Sequence, residues 1–162
     1  MSAPQLVDPA VADRIRVNVA RSNLLATLGI TLLDLAPGRC VLRLPFARQS
    51  LQQHGFVHAG AVTTALDSAC GYAALTTMDR DHDVLTVEFK INLMAPAEGD
   101  WFEAVGTVVR AGRTLQVCSG ELRAHRDGTG RDTGGNTGAN GTAPRTVALI
   151  QATMMAAGRL SD

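Results

Sequence analysis

Apolar residues recur at helical spacing in the segment that follows Pro9, and the repeat stops near Gly29. This spacing is typical of an amphipathic helix, and glycine often follows the last residue of a helix. The segment is therefore predicted to form one packing helix with no chemistry of its own. Its apolar positions are Val11, Ile15, Val19, Leu24 and Leu25.

Short runs rich in β-branched and apolar residues predict strands on both sides of a second helical segment. Residues 30–35 and 39–46 flank a Pro-Gly pair, which predicts a β-hairpin. Residues 101–111 and 114–125 are predicted to form two strands of an antiparallel meander, and residues 146–158 a last strand.

The clearest strand signal is the alternation of apolar and polar residues over residues 84–94. Side chains alternate between the two faces of a strand, so the pattern predicts a long, half-buried strand with one polar face. The predicted polar face carries Thr86, Glu88, Lys90 and Asn92, and the predicted apolar face carries Leu85, Val87, Phe89, Ile91 and Leu93.

A long helix is predicted between the hairpin and this strand, from Ala59 to about Met78, because the segment is rich in alanine and lacks proline. Four alanines recur every fourth residue and share one face, so the helix can lie very close to a neighbour. These alanines are Ala61, Ala65, Ala69 and Ala73.

The order of elements predicts an α+β fold: a helix, two strands, a long helix and four strands. A chain of 162 residues that is 46% apolar is expected to form one domain, spanning residues 1–162. Residues 126–145 are rich in glycine and contain almost nothing apolar, which predicts a mobile loop within that domain.

Composition narrows the range of partners. The 15 basic residues balance the 15 acidic ones, so nucleic acid is not an expected partner.

Cys40, Cys70 and Cys118 are far apart and lie in apolar stretches, which predicts buried thiols in a reducing cytosol. Neither a signal peptide nor a run of about 18 apolar residues is present, so we expect a cytoplasmic protein that does not bind membranes.

The candidate chemistry lies in residues 52–71, where a polar loop leads into the long helix. Asp67 lies in an otherwise apolar part of that helix, where a carboxylate is costly to desolvate unless it is paired or used. The amides of Ala59 and Gly60 lie at the helix start, where unpaired N–H groups favour negative charge, including the oxyanion of a thioester transition state.

Helix geometry separates these two features, because the eight residues from Ala59 to Asp67 span roughly 12 Å at the helical rise. One chain cannot bring both to one carbonyl carbon. A twofold dimer can, if the start of one helix lies beside the middle of its partner, and the alanine face would permit that approach. The sequence thus predicts a homo-oligomer with its site at a dimer interface.

This segment resembles the signature of hotdog-fold acyl-CoA thioesterases of the phenylacetate-degradation (PaaI-like) type. The residues that match are Gln52, the run His58-Ala59-Gly60, and Asp67. Residues 87–97 and 112–124 also resemble strands of that family, so the likeness covers about residues 20 to 125. Two positions depart from the usual pattern: Ala59 replaces the first glycine of a pair, and Gln52 replaces the commoner asparagine.

The resemblance implies a long central helix wrapped by an antiparallel sheet of about six strands, paired into a dimer whose sheets join and often doubled to a tetramer. It implies that Asp67 is the general base or the nucleophile and that the Ala59 amide is the oxyanion donor. Gln52 would orient the water or the thioester. His58 with Gly60 would shape the helix start, and Thr86 would assist the water.

Other residues are candidates for binding the acyl-CoA substrate, of which coenzyme A is a part, so no separate cofactor is expected. Phe56 and Tyr72 are candidates for lining the acyl pocket. Lys90, Arg110 and Arg113 are candidates for binding the phosphates, although each is equally well explained as a solvated surface charge.

No metal is predicted, because the four histidines lack a convincing set of further ligands. His54 and His58 are four residues apart, but they lie in a loop with no third ligand nearby. Two other functions stay open: a non-catalytic acyl-CoA binding module, and a hotdog hydratase or dehydratase. The second is disfavoured because no suitable spacing of Asp67 and a histidine is present.

Overall fold

The protein, described by a computed structural model over residues 6–126 and 143–160, consists of one antiparallel sheet and a long helix that crosses it. Residues 127–142, most of the predicted glycine-rich loop, lie outside the described residues. The elements in chain order are α1 (Pro9–Arg21), α2 (Asn23–Leu28), β1 (Thr31–Ala36), β2 (Arg39–Pro45), a 3-10 turn (Arg48–Ser50), α3 (Ala59–Leu75), β3 (His82–Leu93), β4 (Trp101–Ala111), β5 (Leu115–His125) and β6 (Arg145–Gly158).

The six strands lie in the order β1-β2-β4-β5-β6-β3, and every pair is antiparallel. The helix α3 packs on one face of this sheet, most extensively against β4. The predicted α+β class and the hotdog arrangement that the resemblance implied are confirmed. None of the helices in the described ranges has both the length and the apolarity needed to cross a membrane.

The predicted first helix is two helices, because the chain is extended at Ser22 with φ −69° and ψ 110°. The Ser22 side chain accepts a hydrogen bond from the Leu25 N–H at 3.4 Å and so caps the second helix. Leu24, placed on the packing face by the sequence pattern, is 55% exposed. The predicted end of the segment is confirmed, since Gly29 takes the left-handed conformation that closes α2.

The end of α3 also differs from its prediction, because the helix stops at Leu75 and not near Met78. The hydroxyls of Thr76 and Thr77 donate to the carbonyls of Ala73 and Ala74 at 2.6 and 2.9 Å. The bond from Thr76 satisfies the Ala73 carbonyl at the helix end, and the Ala74 carbonyl also accepts from the Thr77 N–H at 3.0 Å.

The alanine face of α3 packs against the sheet of its own chain. Ala65, Ala69 and Ala73 are fully buried, and Ala61 is 5% exposed. The approach is closest at Gly106 in β4, where an added Cβ would lie 2.3 Å from the carbonyl carbon of Ala69. The expectation that this face would meet a partner helix is therefore wrong, because the chain's own sheet covers it.

Replacing Gly106 with alanine is expected to lower the free energy of unfolding by about 3 kcal/mol, near the upper end of the usual cost of overpacking. The cost is high because the added methyl group meets helix backbone atoms, which cannot rotate away. For a domain of this size the melting temperature should fall by roughly 10 °C. Gly158→Ala is the matched control, since nothing lies within 4 Å of its added Cβ; equal melting temperatures would contradict this account of the helix position.

The edge strand β3 contains a bulge that overturns the predicted alternation. Thr86 pairs with Met154 and Glu88 pairs with Thr153, so Val87 is an extra residue between them. Met154 is buried and faces α3, and directly opposed residues share a face. Thr86 therefore points toward α3, whereas Glu88, together with Lys90 and Asn92, lies on the opposite face.

The open edge of β3 also leaves its apolar residues less buried than predicted. Leu85, Val87, Phe89 and Leu93 are 42%, 52%, 43% and 52% exposed. These side chains, which we call the β3 edge patch, lie along a strand that has a neighbouring strand on one side only within the described part of the chain. An apolar strand edge of this kind is a ready template for pairing with another strand.

The three cysteines are free and buried, as predicted. Burial raises the pKa of Cys40 to about 12 and that of Cys118 to about 11, and it raises the pKa of Cys70 further. The thiols are therefore protonated groups in the core between α3 and the sheet, and they are poor nucleophiles.

Candidate active site

The start of α3 is fixed by His58, the residue that caps it. The His58 Nδ1 atom accepts a hydrogen bond from the Gly60 N–H at 2.9 Å. A Cβ on residue 60 would lie 3.1 Å from this nitrogen, so glycine lets the imidazole ring fold over the first turn. The loop side is held too, because the His58 N–H donates to the Ser50 carbonyl at 2.8 Å.

This cap leaves the Ala59 amide as the available donor of the first turn. The N–H groups of Ala61 and Val62 donate to the His58 carbonyl, at 2.9 and 3.2 Å. Gly60 is taken by the His58 side chain. Within the described part of the chain, no acceptor lies in hydrogen-bonding range of the Ala59 N–H. The positive end of the helix dipole adds to this donor, so the position suits a developing oxyanion.

Gln52 lies in the tight turn that precedes the cap. Its N–H donates to the Phe56 carbonyl at 2.8 Å, and Gly55 completes the turn with φ +84°. The Gln52 Oε1 atom accepts from the His54 N–H at 2.5 Å. Because this oxygen is engaged, the amide nitrogen is the part of the side chain that is able to donate to a substrate.

A cleft of about 390 Å³ opens at this helix start. It brings together four residues that the sequence singled out, Gln52, Phe56, His58 and Ala59. Its other walls come from the first turns of α3, from the end of β3 with the loop that follows it, and from β6. We call it the N-terminal cleft.

Asp67 lies farther along α3, half-buried, and it is paired across to β3. The Thr86 hydroxyl donates to the Asp67 Oδ1 atom at 2.8 Å. Burial raises the pKa of the Asp67 carboxyl, and the hydrogen bond from Thr86 lowers it in part. The carboxylate is therefore neither a loop cap nor a freely solvated acid, because it is partly desolvated and oriented by one hydroxyl.

One chain does not bring the Ala59 amide and the Asp67 carboxylate together. They belong to the same straight helix and are separated by roughly 12 Å of helical rise. Asp67 does not line the N-terminal cleft. Its hydrogen-bond partner Thr86 lies on the open edge strand, in the segment that carries the β3 edge patch.

The remaining predicted residues lie elsewhere in the chain. Tyr72 lines a groove between α1 and the second half of α3. Lys90 faces a hollow on the outer face of the sheet. Arg110 and Arg113 lie around the turn between β4 and β5. A single chain brings none of these four to the N-terminal cleft.

Among the described residues, no group of three histidine, cysteine, aspartate or glutamate side chains is placed to hold a metal ion.

The helix α1, expected only to pack, has a second side that its apolar repeat did not indicate. Arg14, Val17, Asn18 and Arg21 line the groove that also holds Tyr72. Their spacing of three, four and seven residues is the available sequence signal for this stripe.

Comparison with a family model and with solved structures identifies thioesterases in both cases. The model of the thioesterase superfamily matches residues 54–130, which include the helix start, Asp67 and Thr86. A crystal structure of a thioesterase family protein from Silicibacter pomeroyi is 43% identical, with a TM-score of 0.80, over 92% of this chain and 99% of that one.

Two further proteins are similar over shorter or more divergent alignments. Human acyl-coenzyme A thioesterase 13 is 29% identical over 94 residues, which are 57% of this chain and 66% of that protein. The structure of the Escherichia coli PaaI protein, from the phenylacetic acid degradation operon, is 18% identical with a TM-score of 0.74. It covers 94% of this chain and 96% of that chain, and it shows a shared fold.

Proposed function

Because the chain belongs to the thioesterase superfamily, we propose that it hydrolyses an acyl-coenzyme A to the free acid and coenzyme A. The acyl-CoA class is supported by the name of the human relative. The observation that carries the proposal is the pair formed by Asp67 and Thr86, a partly desolvated carboxylate held by one hydroxyl. A partly desolvated carboxylate whose pKa is raised is suited to act as a general base.

The proposed site combines two subunits. The Ala59 amide of one subunit and the Asp67 carboxylate of the other would face the same thioester carbonyl. The β3 edge patch supports this pairing, because edge-to-edge contact of two β3 strands would bury exposed apolar side chains and satisfy unpaired backbone groups. Thr86 lies on that strand, so the pairing would place Asp67 at the subunit boundary.

In the proposed reaction, Asp67 takes a proton from a water molecule as the oxygen of that water attacks the thioester carbonyl carbon. The carbonyl oxygen becomes an oxyanion, which the Ala59 N–H stabilises. The intermediate then collapses: the carbon–sulfur bond breaks, the proton passes to the departing thiolate, and the acid and the thiol leave. Gln52 lines the same cleft as Ala59 and would donate its amide N–H to the same carbonyl or to the water.

Attack by Asp67 itself uses the same residues. In that route the carboxylate forms an anhydride with the acyl group, the thiolate leaves, and water then hydrolyses the anhydride. Half-burial of Asp67 fits either role.

Thr86 supplies a test of the state of Asp67. Replacing Thr86 with valine removes the hydrogen bond that lowers the pKa of Asp67, so the pKa should rise. A base must be ionised to act, and the acidic limb of the kcat/KM profile should therefore move to higher pH. The measurement is a pH profile of the variant beside Thr86→Ser, which keeps the hydroxyl. If the limb did not move in the valine variant, Asp67 would not be the group that titrates.

The function itself is tested by mixing the purified protein with a panel of acyl-CoA thioesters: phenylacetyl, benzoyl, and straight chains of several lengths. Release of free thiol is followed together with the appearance of the free acid. Turnover of any member establishes the reaction class, and the ranking identifies the acyl group. Saturable binding of the same thioesters without any turnover would instead establish a non-catalytic binding module.

A further inference from the structure

A groove of about 560 Å³ lies between α1 and the second half of α3, near the ends of β3 and β6. We call it the cationic groove. Its apolar floor is formed by Tyr72, Leu75 and Val84, and Val17 on α1 faces it with 50% of its surface exposed. Polar groups stand around this floor, so the groove has the amphipathic lining of a site for a small molecule with an apolar body and a polar end.

The polar groups of the groove are mainly positive. Among the described residues, three arginines (Arg14, Arg21 and Arg159) and one carboxylate (Asp83) line it. Asp83 is already engaged, since its Oδ1 atom lies 3.7 Å from Arg14 and its Oδ2 atom accepts from the Leu160 N–H at 2.8 Å. Because Arg14 and Asp83 neutralise each other, the exposed guanidinium of Arg159 is the charge that a ligand would meet, and a matching ligand should carry a negative group.

Arg14 is the fixed member of this set. Its side chain is 14% exposed, and its two terminal nitrogens donate to the carbonyls of Arg80 and His82, at 2.9 and 2.8 Å. These bonds anchor α1 to the start of β3. Arg159 is exposed at the end of β6 and is able to turn toward a ligand.

The cationic groove lies along the same strip of helix and strand as Asp67. Gly71 lies one helical turn beyond Asp67 on the same side of α3, and an added Cβ there would lie 3.9 Å from the Val84 side chain. Val84 precedes Thr86 by two residues, so both face α3. The strip of helix and strand that holds Asp67 therefore continues directly into the apolar floor of the groove.

From these observations we propose that the cationic groove binds the far end of the acyl group, and that the preferred substrate is an acyl thioester with a second acidic group at that end. The inference rests on the proposed thioesterase function. The apolar floor would hold the methylene chain, and Arg159 would bind the terminal carboxylate. Asp83, at the charged end of the groove, precedes Thr86 by three residues of strand. The charged end of the groove therefore lies roughly 10 Å from the carbonyl carbon that would react at Asp67.

The phosphates of coenzyme A are the other source of negative charge near a thioester. They fit this groove less well, because about a dozen bonds of the pantetheine arm separate the sulfur from the first phosphate, a longer reach than three residues of strand. A phosphate would thus lie beyond the groove when the thioester carbon is at Asp67.

The test compares two acyl groups on two thiols. Hexanoyl and adipoyl thioesters differ by the terminal carboxylate, and coenzyme A and N-acetylcysteamine differ by the phosphates. For the wild-type protein we expect kcat/KM for adipoyl to exceed that for hexanoyl on both thiols. Replacing Arg159 with glutamine should lower the adipoyl value about three- to tenfold and change the hexanoyl value less than twofold.

Two controls accompany this comparison. Arg159→Lys keeps the charge and should retain most of the adipoyl preference. Arg16→Gln removes an arginine from α1 that pairs with Asp13 on the solvent side, and it should change nothing.

Each other outcome rejects the inference in a recognisable way. If Arg159→Gln weakened both acyl-CoA substrates equally and neither N-acetylcysteamine thioester, the groove would bind the phosphates. Equal turnover of hexanoyl and adipoyl thioesters by the wild type would reject the acidic substrate and keep the thioesterase. Absence of hydrolysis of every thioester, including the wider panel, would overturn the proposed function and this inference with it.

Discussion

Replacing Asp67 with asparagine is expected to lower kcat by about 10³-fold, within the range that removal of a general base usually costs. Asparagine keeps the shape of the side chain and still accepts the hydrogen bond from the Thr86 hydroxyl. It cannot take a proton from water at neutral pH, and it is a poor nucleophile. The change therefore removes the chemistry of Asp67 in either of its two proposed roles, and the measurement is thiol release from the best acyl-CoA of the panel.

Stability provides the control for this variant. Burial raises the pKa of Asp67, so the folded protein holds a proton there more tightly than the unfolded chain does. The stabilisation from that proton is complete below the unfolded pKa and is lost as pH rises through the folded pKa. At neutral pH the ionised carboxylate therefore destabilises the fold, and Asp67→Asn should unfold no more easily than the wild type.

A second control is Asp79→Asn, because Asp79 is an exposed acid just beyond the end of α3. It should leave both turnover and stability unchanged. Full turnover by the Asp67 variant would remove Asp67 from the mechanism, whereas a loss of turnover accompanied by unfolding would show that the acid is structural.

The features that the sequence predicted well are those fixed by neighbouring residues. The Pro-Gly pair sets the hairpin of β1 and β2, and the alternation of residues 84–94 identifies β3. The helix start at His58 follows from a loop that ends in small residues before an apolar run. Each of these signals acts over a few residues, so one sequence is sufficient to read it.

The features that it missed depend on contacts between distant segments. The break at Ser22 arises because a serine side chain caps α2 at that point, although the apolar repeat continues across it. The bulge at Val87 is visible only once β6 is paired with β3. The alanine face met the chain's own sheet because Gly106, which lies more than thirty residues later in the sequence, lets the helix approach β4.

The candidate site also combines features fixed by neighbouring residues with features that depend on contacts between distant segments. The loop and helix start could be assembled from residues 52–60, and Asp67 stood out because a carboxylate is unusual in an apolar helix. The alternation predicts that Thr86 lies on the polar face of its strand, whereas in the structure the bulge at Val87 turns its hydroxyl toward Asp67. The arginines of the cationic groove come from both ends of the chain, and only the packing of α1 against β3 and β6 brings them together.

Replacing Ala59 with proline is expected to lower kcat by about 10²- to 10³-fold, the usual cost of losing one oxyanion donor. Proline removes the N–H and little else, because the first residue of a helix is a favoured position for it. His58 already has φ −63° and ψ 140°, the conformation preferred before proline. Ala59→Ser keeps the amide and is the matched control, and melting temperatures of both variants should stay close to that of the wild type.

The two inactive variants together test whether the site is shared between subunits. After unfolding and refolding as an equal mixture, half of the dimers should contain one Asp67→Asn subunit and one Ala59→Pro subunit. In each mixed dimer, the intact Ala59 amide of the Asp67→Asn subunit faces the intact Asp67 of the Ala59→Pro subunit, and this site is complete. The other site of the same dimer lacks both groups. About one quarter of the wild-type activity should therefore return. If amide and carboxylate acted within one chain, every site in the mixture would lack one of them, and no activity would return.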